Sequence, residues 1–135
     1  MDMCPVSEDK KSHMPRLVEL DERAKFASQL AEDVGPVIFM NKFDVSPEEF
    51  EQFLKAWEKD ATYFKSQPGF ISAQLHKGIG NSGVFINYTI WESTTQFKKA
   101  VEKSGFQTFI SNYPSSTIIS PHIFKKVHVP GICVE

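Results

Sequence analysis

The sequence predicts one α+β domain in which helices cover one face of an antiparallel sheet. Short segments rich in β-branched and aromatic residues alternate with two longer segments whose apolar residues recur every three or four positions. Each longer segment begins with a helix-capping pattern. The chain has 135 residues, 41% of them hydrophobic, which suits one domain with its own core.

The N-terminal part differs from the rest. Residues 1–15 are polar and predict a flexible arm. Over residues 16–34, apolar residues at helical spacing predict an additional amphipathic helix, which Gly35-Pro36 would end. The main domain is expected over residues 35–130, followed by a short tail at 131–135.

The first β-α-β unit is expected to follow this helix. A β-rich run predicts a strand over residues 37–45. Ser46 can cap the next helix, Pro47 suits its first position, and Glu49 completes a capping box. The helix stripe is apolar, and Pro68-Gly69 ends it before a second strand over about 70–77; the stripe residues are Phe50, Phe53, Leu54, Trp57, Ala61 and Phe64.

The second half repeats the pattern in the order β-α-β. Residues 78–83 match the glycine spacing of a dinucleotide-binding loop, but a strand follows them instead of a helix, so we interpret them as a hairpin loop. The strand is expected over 84–91. Ser93 and Gln96 then form a capping box for a second helix, which Gly105 interrupts, and a last strand is expected over about 122–129.

The order β-α-β-β-α-β, with short connections and right-handed crossovers, favours a ferredoxin-like topology. Its strands are apolar on both faces. Val37 and Phe39 point to one face while Ile38 and Met40 point to the other, and the strand over 84–91 likewise carries apolar residues on both faces. Such strands are buried on both faces, so we predict a homodimer in which two sheets pack together.

Composition excludes several classes of protein. The net charge of −2 provides no basic surplus for nucleic acid, and no run of about 18 apolar residues could span a membrane. The first residues lack an apolar signal region, so a cytoplasmic location is expected. Cys4 and Cys133 form no zinc-ligand pattern; free thiols are the simpler interpretation and a bridge between the termini is the alternative.

Several short motifs resemble the antibiotic biosynthesis monooxygenase (ABM) family. They are Trp91-Glu92-Ser93 running into Gln96-Phe97, the turn Gln67-Pro68-Gly69-Phe70, and Asn41 inside the first strand. The resemblance covers roughly residues 37–129. It implies a dimeric α+β barrel. Family members include cofactor-independent oxygenases that turn phenolic polyketides into quinones, and enzymes that cleave haem.

The resemblance implies a monooxygenase that needs neither cofactor nor metal and acts on a small phenolic or enolic compound. Asn41 is the expected oxyanion donor, and His76 or Tyr88 the expected proton acceptor or positioning group. Histidine is a common general base, and His76, late in the second strand, is the best candidate for that role; a solvent-facing histidine at the sheet edge is the ordinary alternative. The expected pocket walls are aromatic: Phe39, Phe43, Trp57 and Trp91.

Ordinary structural roles stand beside these assignments. Asn41 can be an amide bonded to nearby backbone, and both tryptophans can be core residues. Asn87 and Tyr88 are neighbours on one strand, so only one of them faces the helices. Which one does so depends on which strand face meets the helices, and both faces are apolar. The alternative function is a non-catalytic protein that binds a small hydrophobic ligand or haem. An enzyme needs at least two polar groups converging in the pocket, whereas a purely apolar lining favours the binder.

The haem-cleaving members resemble this chain at Asn41 but also use a tryptophan in the second helix and an axial histidine ten residues later. Aligning on Trp91-Glu92-Ser93 places Ala100 and Ile110 at those positions. Isoleucine has no lone pair for iron, so haem cleavage of that type is not expected.

Overall fold

The computed structural model describes residues 14–133, apart from the side chains of residues 106–108. Its strands form one sheet in the spatial order β1-β5-β2-β4-β3. The strands are β1 (Arg16–Leu17), β2 (Val37–Asp44), β3 (Phe70–Lys77), β4 (Val84–Trp91) and β5 (Ile118–Phe124). The helices are α1 (Phe26–Gln29), α2 (Phe50–Lys65), α3 (Thr94–Ser104) and α4 (Phe106–Ser111), and a 3₁₀ turn spans Pro47–Glu49.

The four strands from β2 to β5 confirm the predicted ferredoxin-like topology. β2 pairs antiparallel with both β4 and β5, and β3 pairs antiparallel with β4. The loop over 78–83 joins β3 to β4 as a hairpin, as predicted. In the central pair, Asn41 of β2 lies directly opposite Asn87 of β4. This register places both amides on the same face of the sheet.

The local signals at the helix ends are partly confirmed. The Ser93 hydroxyl accepts a hydrogen bond from the Gln96 backbone N–H at 3.2 Å. Gly105 lies at φ 85° between α3 and α4, a conformation that favours glycine. The capping box predicted at Ser46 is not formed: its side chain makes no capping bond, and the Glu49 carboxylate accepts from the Ser116 hydroxyl.

The single helix predicted over residues 16–34 is wrong. The segment begins with β1, which pairs parallel with β5, and only Phe26–Gln29 is helical. Leu17 and Leu20 of the supposed apolar stripe are 44% and 48% exposed. The segment instead covers the edge of β5, where unpaired backbone groups need partners.

The last strand begins and ends earlier than predicted. β5 spans Ile118–Phe124, and residues 125–129 form no strand. Pairing with β2 determines this position, because Phe43 lies opposite Ile119 and Ile38 lies opposite Phe124. Residues 1–13, which include most of the predicted arm, Cys4 and His13, lie outside the described residues, as do 134–135.

The inner face of the sheet carries the core. One cluster surrounds Phe39, Trp91 and Phe97, and a second surrounds Phe43 and Phe53. The outer face carries apolar residues among polar ones, and Ile71 there is 51% exposed; the half-buried apolar residues include Ile38, Met40, Ile86, Tyr88 and Ile90. The homodimer remains a prediction. Within residues 14–133, no helix is long and apolar enough to cross a membrane.

Candidate active site

A cavity of about 60 Å³ lies between the inner face of the sheet and helices α2 to α4. The lining comes from β2, β3, β4, β5 and all four helices. Most of it is aromatic or aliphatic, including Phe26, Phe39, Phe43, Phe64, Phe70, Trp91, Phe97, Phe109, Ile110 and Ile119. The strand face carrying Phe39 and Phe43 therefore meets the helices, which the sequence left open. The polar lining residues are Asn41, Trp57, Asp60, Asn87, Thr89 and Tyr113.

The two opposed asparagines provide amide groups in the middle of the sheet. The Asn41 side-chain oxygen is buried and has no hydrogen-bond partner among the described residues. The Asn87 side-chain oxygen accepts a hydrogen bond from Trp57 Nε1 at 3.1 Å. Since an indole N–H can only donate, this bond defines the orientation of the Asn87 amide. Its nitrogen, which carries two N–H donors, is the atom left for other partners.

Asp60 and Tyr113 form a second polar group on the helix side of the cavity. Asp60 lies about one turn of α2 after Trp57 and is only 8% exposed. Burial raises the pKa of the Asp60 carboxyl to about 7, because the charged form loses its water; hydrogen bonding from Tyr113 and the charge of Lys59 lower it less. Burial raises the pKa of the Tyr113 hydroxyl well above its usual value, and the neighbouring Asp60 raises it further.

The two tryptophans have different roles. Trp91 is 1% exposed and its Nε1 donates to the Thr89 hydroxyl at 3.2 Å, so it is a core wall with a satisfied donor. Trp57 is half-buried and stands between the cavity and a groove of about 420 Å³ bounded by α2 and β3. Cavity and groove share Trp57, Ala61, Phe70 and Ala73. The groove and the cavity are therefore adjacent.

The structure does not bring His76 and Tyr88 to the cavity. Both lie on the outer face, where their ring centroids are 6.4 Å apart, and His76 is exposed. On β4 the inward position belongs to Asn87, the neighbour of Tyr88. Asn41, Phe39, Phe43, Trp57 and Trp91 are brought together as expected; the two expected proton acceptors are not among them.

The polar lining residues that were not assigned a role from sequence include Asp60, Asn87 and Tyr113. Asp60 could have been identified from the sequence, because it is an acidic residue within the apolar stripe of α2. Asn87 became a candidate only once the β2–β4 register placed it opposite Asn41. Tyr113 follows α4 at a distance of 53 residues from Asp60, and no local pattern connects the two.

Haem does not fit the residues present. Ala100 is buried in the core, and Ile110 lines the cavity without a donor atom for iron. Among the described residues, the lining contains no His, Cys or Met, and Tyr113 could coordinate iron only as a phenolate, which its burial disfavours. Over residues 14–133, no group of three or more His, Cys, Asp or Glu side chains could hold a metal ion.

Several known proteins resemble the chain. Over 76 residues it is 30% identical to deoxynogalonate monooxygenase of Streptomyces nogalater, covering 55% of this chain and 62% of that relative. The crystal structure of SnoaB, a cofactor-independent oxygenase from Streptomyces nogalater, matches with a TM-score of 0.62 at 21% identity, covering 75% of this chain and 99% of that one. A heme-degrading protein from Mycobacterium tuberculosis matches with a TM-score of 0.53 at 21% identity, covering 71% and 96%.

The two structural matches show a shared fold. The family model for antibiotic biosynthesis monooxygenase matches residues 36–112, which is more than half of the chain. That range runs from the residue before β2 to the end of α4, and it therefore includes Asn41, Asp60 and Asn87. The chain belongs to the antibiotic biosynthesis monooxygenase family.

Proposed function

We propose that this protein is a cofactor-independent monooxygenase that oxidises a small phenolic or enolic compound with O2. The observation that carries the proposal is the convergence of Asn41, Asn87, Asp60 and Tyr113 in an otherwise apolar cavity. Leaving a buried polar group unpaired costs about 1–3 kcal/mol. A pocket that only holds a hydrophobic ligand gains nothing from such groups, whereas an oxygenase needs them.

The proposed reaction uses the substrate as its own reductant. A phenol or enol loses a proton, and the resulting anion transfers one electron to O2. The carbon radical and superoxide combine into a C–O bond, and protonation gives a hydroperoxide. Loss of water from a CH–OOH group then leaves a carbonyl, so that CH2 and O2 become C=O and H2O. In this proposal the amide N–H groups of Asn41 and Asn87 would stabilise the substrate oxyanion.

Substrate entry requires the lining to move. Pockets for drug-sized ligands have volumes of roughly 300–1,000 Å³, and this cavity has about 60 Å³. The neighbouring groove of about 420 Å³ supplies space once Trp57 rotates away. Rotation would break the hydrogen bond from Trp57 to the Asn87 side-chain oxygen and let the Asn87 amide reorient towards the substrate. Family membership and the similarity to deoxynogalonate monooxygenase support this assignment.

Oxygen consumption with anthrone and related phenols tests the proposal. We expect turnover by the wild-type protein, and a loss of about 10²–10³-fold in kcat for Asn41→Ala, the effect typical of removing one oxyanion donor. Asn81→Ala, in the exposed hairpin loop, is the matched control and should keep full activity. An unchanged rate in Asn41→Ala would remove Asn41 from the mechanism. Tight binding of these compounds without oxygen consumption would identify the protein as a binder.

A further inference from the structure

We propose that Asp60 is the base that takes the proton from the bound phenol or enol, and that Tyr113 is the residue that positions it. This inference rests on the proposed function and names the group that the first step requires. His76 and Tyr88, from which this role was expected, lie on the other face of the sheet. Among the described lining residues, only Asp60 and Tyr113 carry titratable side chains.

The geometry of Asp60 suits a base. Helix α2 holds its carboxyl against the cavity, one turn beyond Trp57 and on the wall facing the asparagine pair. Its Oδ1 is buried and has no hydrogen-bond partner among the described residues, so an acceptor lone pair is available there. A bound hydroxyl group provides the missing donor. The same hydroxyl oxygen, once ionised, needs the donors that Asn41 and Asn87 provide on the opposite wall.

A purely structural role explains Asp60 poorly. Removing a carboxylate from water is costly unless charges and hydrogen bonds compensate it fully. The groups acting on Asp60 are Tyr113, from the segment after α4, and Lys59, on α2 itself; the facing strands β2 and β4 contribute the neutral amides of Asn41 and Asn87. A buried acid with one neutral hydrogen-bond donor is typical of functional sites.

Proton transfer at Asp60 balances over the reaction. The carboxylate takes the substrate proton first and returns it to the peroxide formed after O2 addition. It then takes the C–H proton as the O–O bond breaks and gives it to the leaving hydroxide, which becomes water. Asp60 ends ionised, and O2 is the sole oxidant. A carboxyl with a pKa of about 7 is present in both protonation states at neutral pH, which suits a group that accepts and donates in turn.

The test separates proton removal from oxidation. Anthrone is mixed with the full-length protein without oxygen, and its coloured anion is followed by absorbance while pH is varied. We expect the wild-type protein to form the anion with a midpoint near pH 7, and Asp60→Asn to form none in that range. In air, Asp60→Asn should lower kcat/KM by about 10²–10⁴-fold and abolish the acid limb of the pH profile.

Two further variants exclude a folding effect. Tyr113→Phe removes the hydrogen bond that lowers the pKa of Asp60, so its acid limb should move to higher pH while turnover persists above that limb. Glu51→Gln removes a charge from the exposed side of the same helix and should change nothing. Equal turnover and an unchanged pH profile in Asp60→Asn would overturn the inference while leaving the proposed function intact. Absence of turnover with every compound in the wild-type protein would overturn both.

Discussion

Individual carboxylates on α2 experience very different surroundings. Glu51 and Glu58 are exposed, and water stabilises their charges. Asp60, on the buried side of the same helix, is 8% exposed, and burial raises the pKa of its carboxyl to about 7. The difference arises from position on the helix: Asp60 lies within the stripe that also carries Phe53, Ala56 and Trp57. Position on the helix therefore determines whether the charged form of a carboxyl on α2 is stabilised by water.

The raised pKa predicts how stability depends on pH. Between about pH 4 and 7 the native protein binds a proton at Asp60 that the unfolded chain has already lost, so the contribution to stability decreases as pH rises through 7. About three pKa units correspond to at most about 4 kcal/mol. Urea unfolding at pH 4 to 8 should show this decrease in the wild-type protein and not in Asp60→Asn. Parallel curves for the two proteins would contradict the raised pKa.

At the scale of elements, the N-terminal segment extends the sheet in two ways. β1 adds a short parallel strand beside β5. Further along the same edge, the side chain of Gln29 acts as a strand would: its Nε2 donates to the Ile123 carbonyl at 3.0 Å, and its Oε1 accepts from the Ile123 N–H at 2.9 Å. Phe26 of α1 meanwhile stacks against Phe39 and lines the cavity.

Gln29→Ala should destabilise the protein by about 1–3 kcal/mol, since both backbone groups of Ile123 would lose their partner at the sheet edge. The free energy of unfolding, measured by urea denaturation, checks this. Gln52→Ala, on the exposed face of α2, is the matched control and should stay within about 0.5 kcal/mol of the wild type. An equal effect of both substitutions would show that the edge contact contributes nothing.

The elements also differ in how well the sequence predicts them. β3 and β4 occur at their predicted residues, and α2 and α3 follow their stripes, because helix period, strand alternation and turn residues are local properties. The segment over 16–34 was predicted as a helix because its apolar spacing is helical. Its actual conformation depends on the edge of β5, which is about 100 residues away, and no window of the sequence contains both.

At the scale of the whole molecule, the described residues of one chain form no second helical layer on the outer face of the sheet. Ile38, Met40, Ile86 and Ile90 are half-buried there, and the helices within residues 14–133 pack on the inner face. Burying apolar surface contributes about 25 cal/mol per Å². This face is where a second copy is expected to pack.

We therefore predict a dimer at micromolar concentration, and its dissociation by Ile86→Glu, because the new charge would be buried between two sheets. Size-exclusion chromatography with light scattering measures the mass directly. Ile79→Glu is the control, since Ile79 is 95% exposed in the hairpin loop and lies away from this face. A wild-type protein that stays monomeric and folded at that concentration would contradict the dimer.

The sequence by itself determined the order of elements, the hairpin at 78–83, the interruption at Gly105 and the aromatic character of the pocket walls, because each depends on neighbours along the chain. Only the tertiary structure decided which strand face lines the cavity, and so placed Asn87 inside and Tyr88 and His76 outside. It also brought Tyr113 to Asp60 and the N-terminal segment to β5. These outcomes depend on strand register and helix packing between distant residues, which local patterns do not contain.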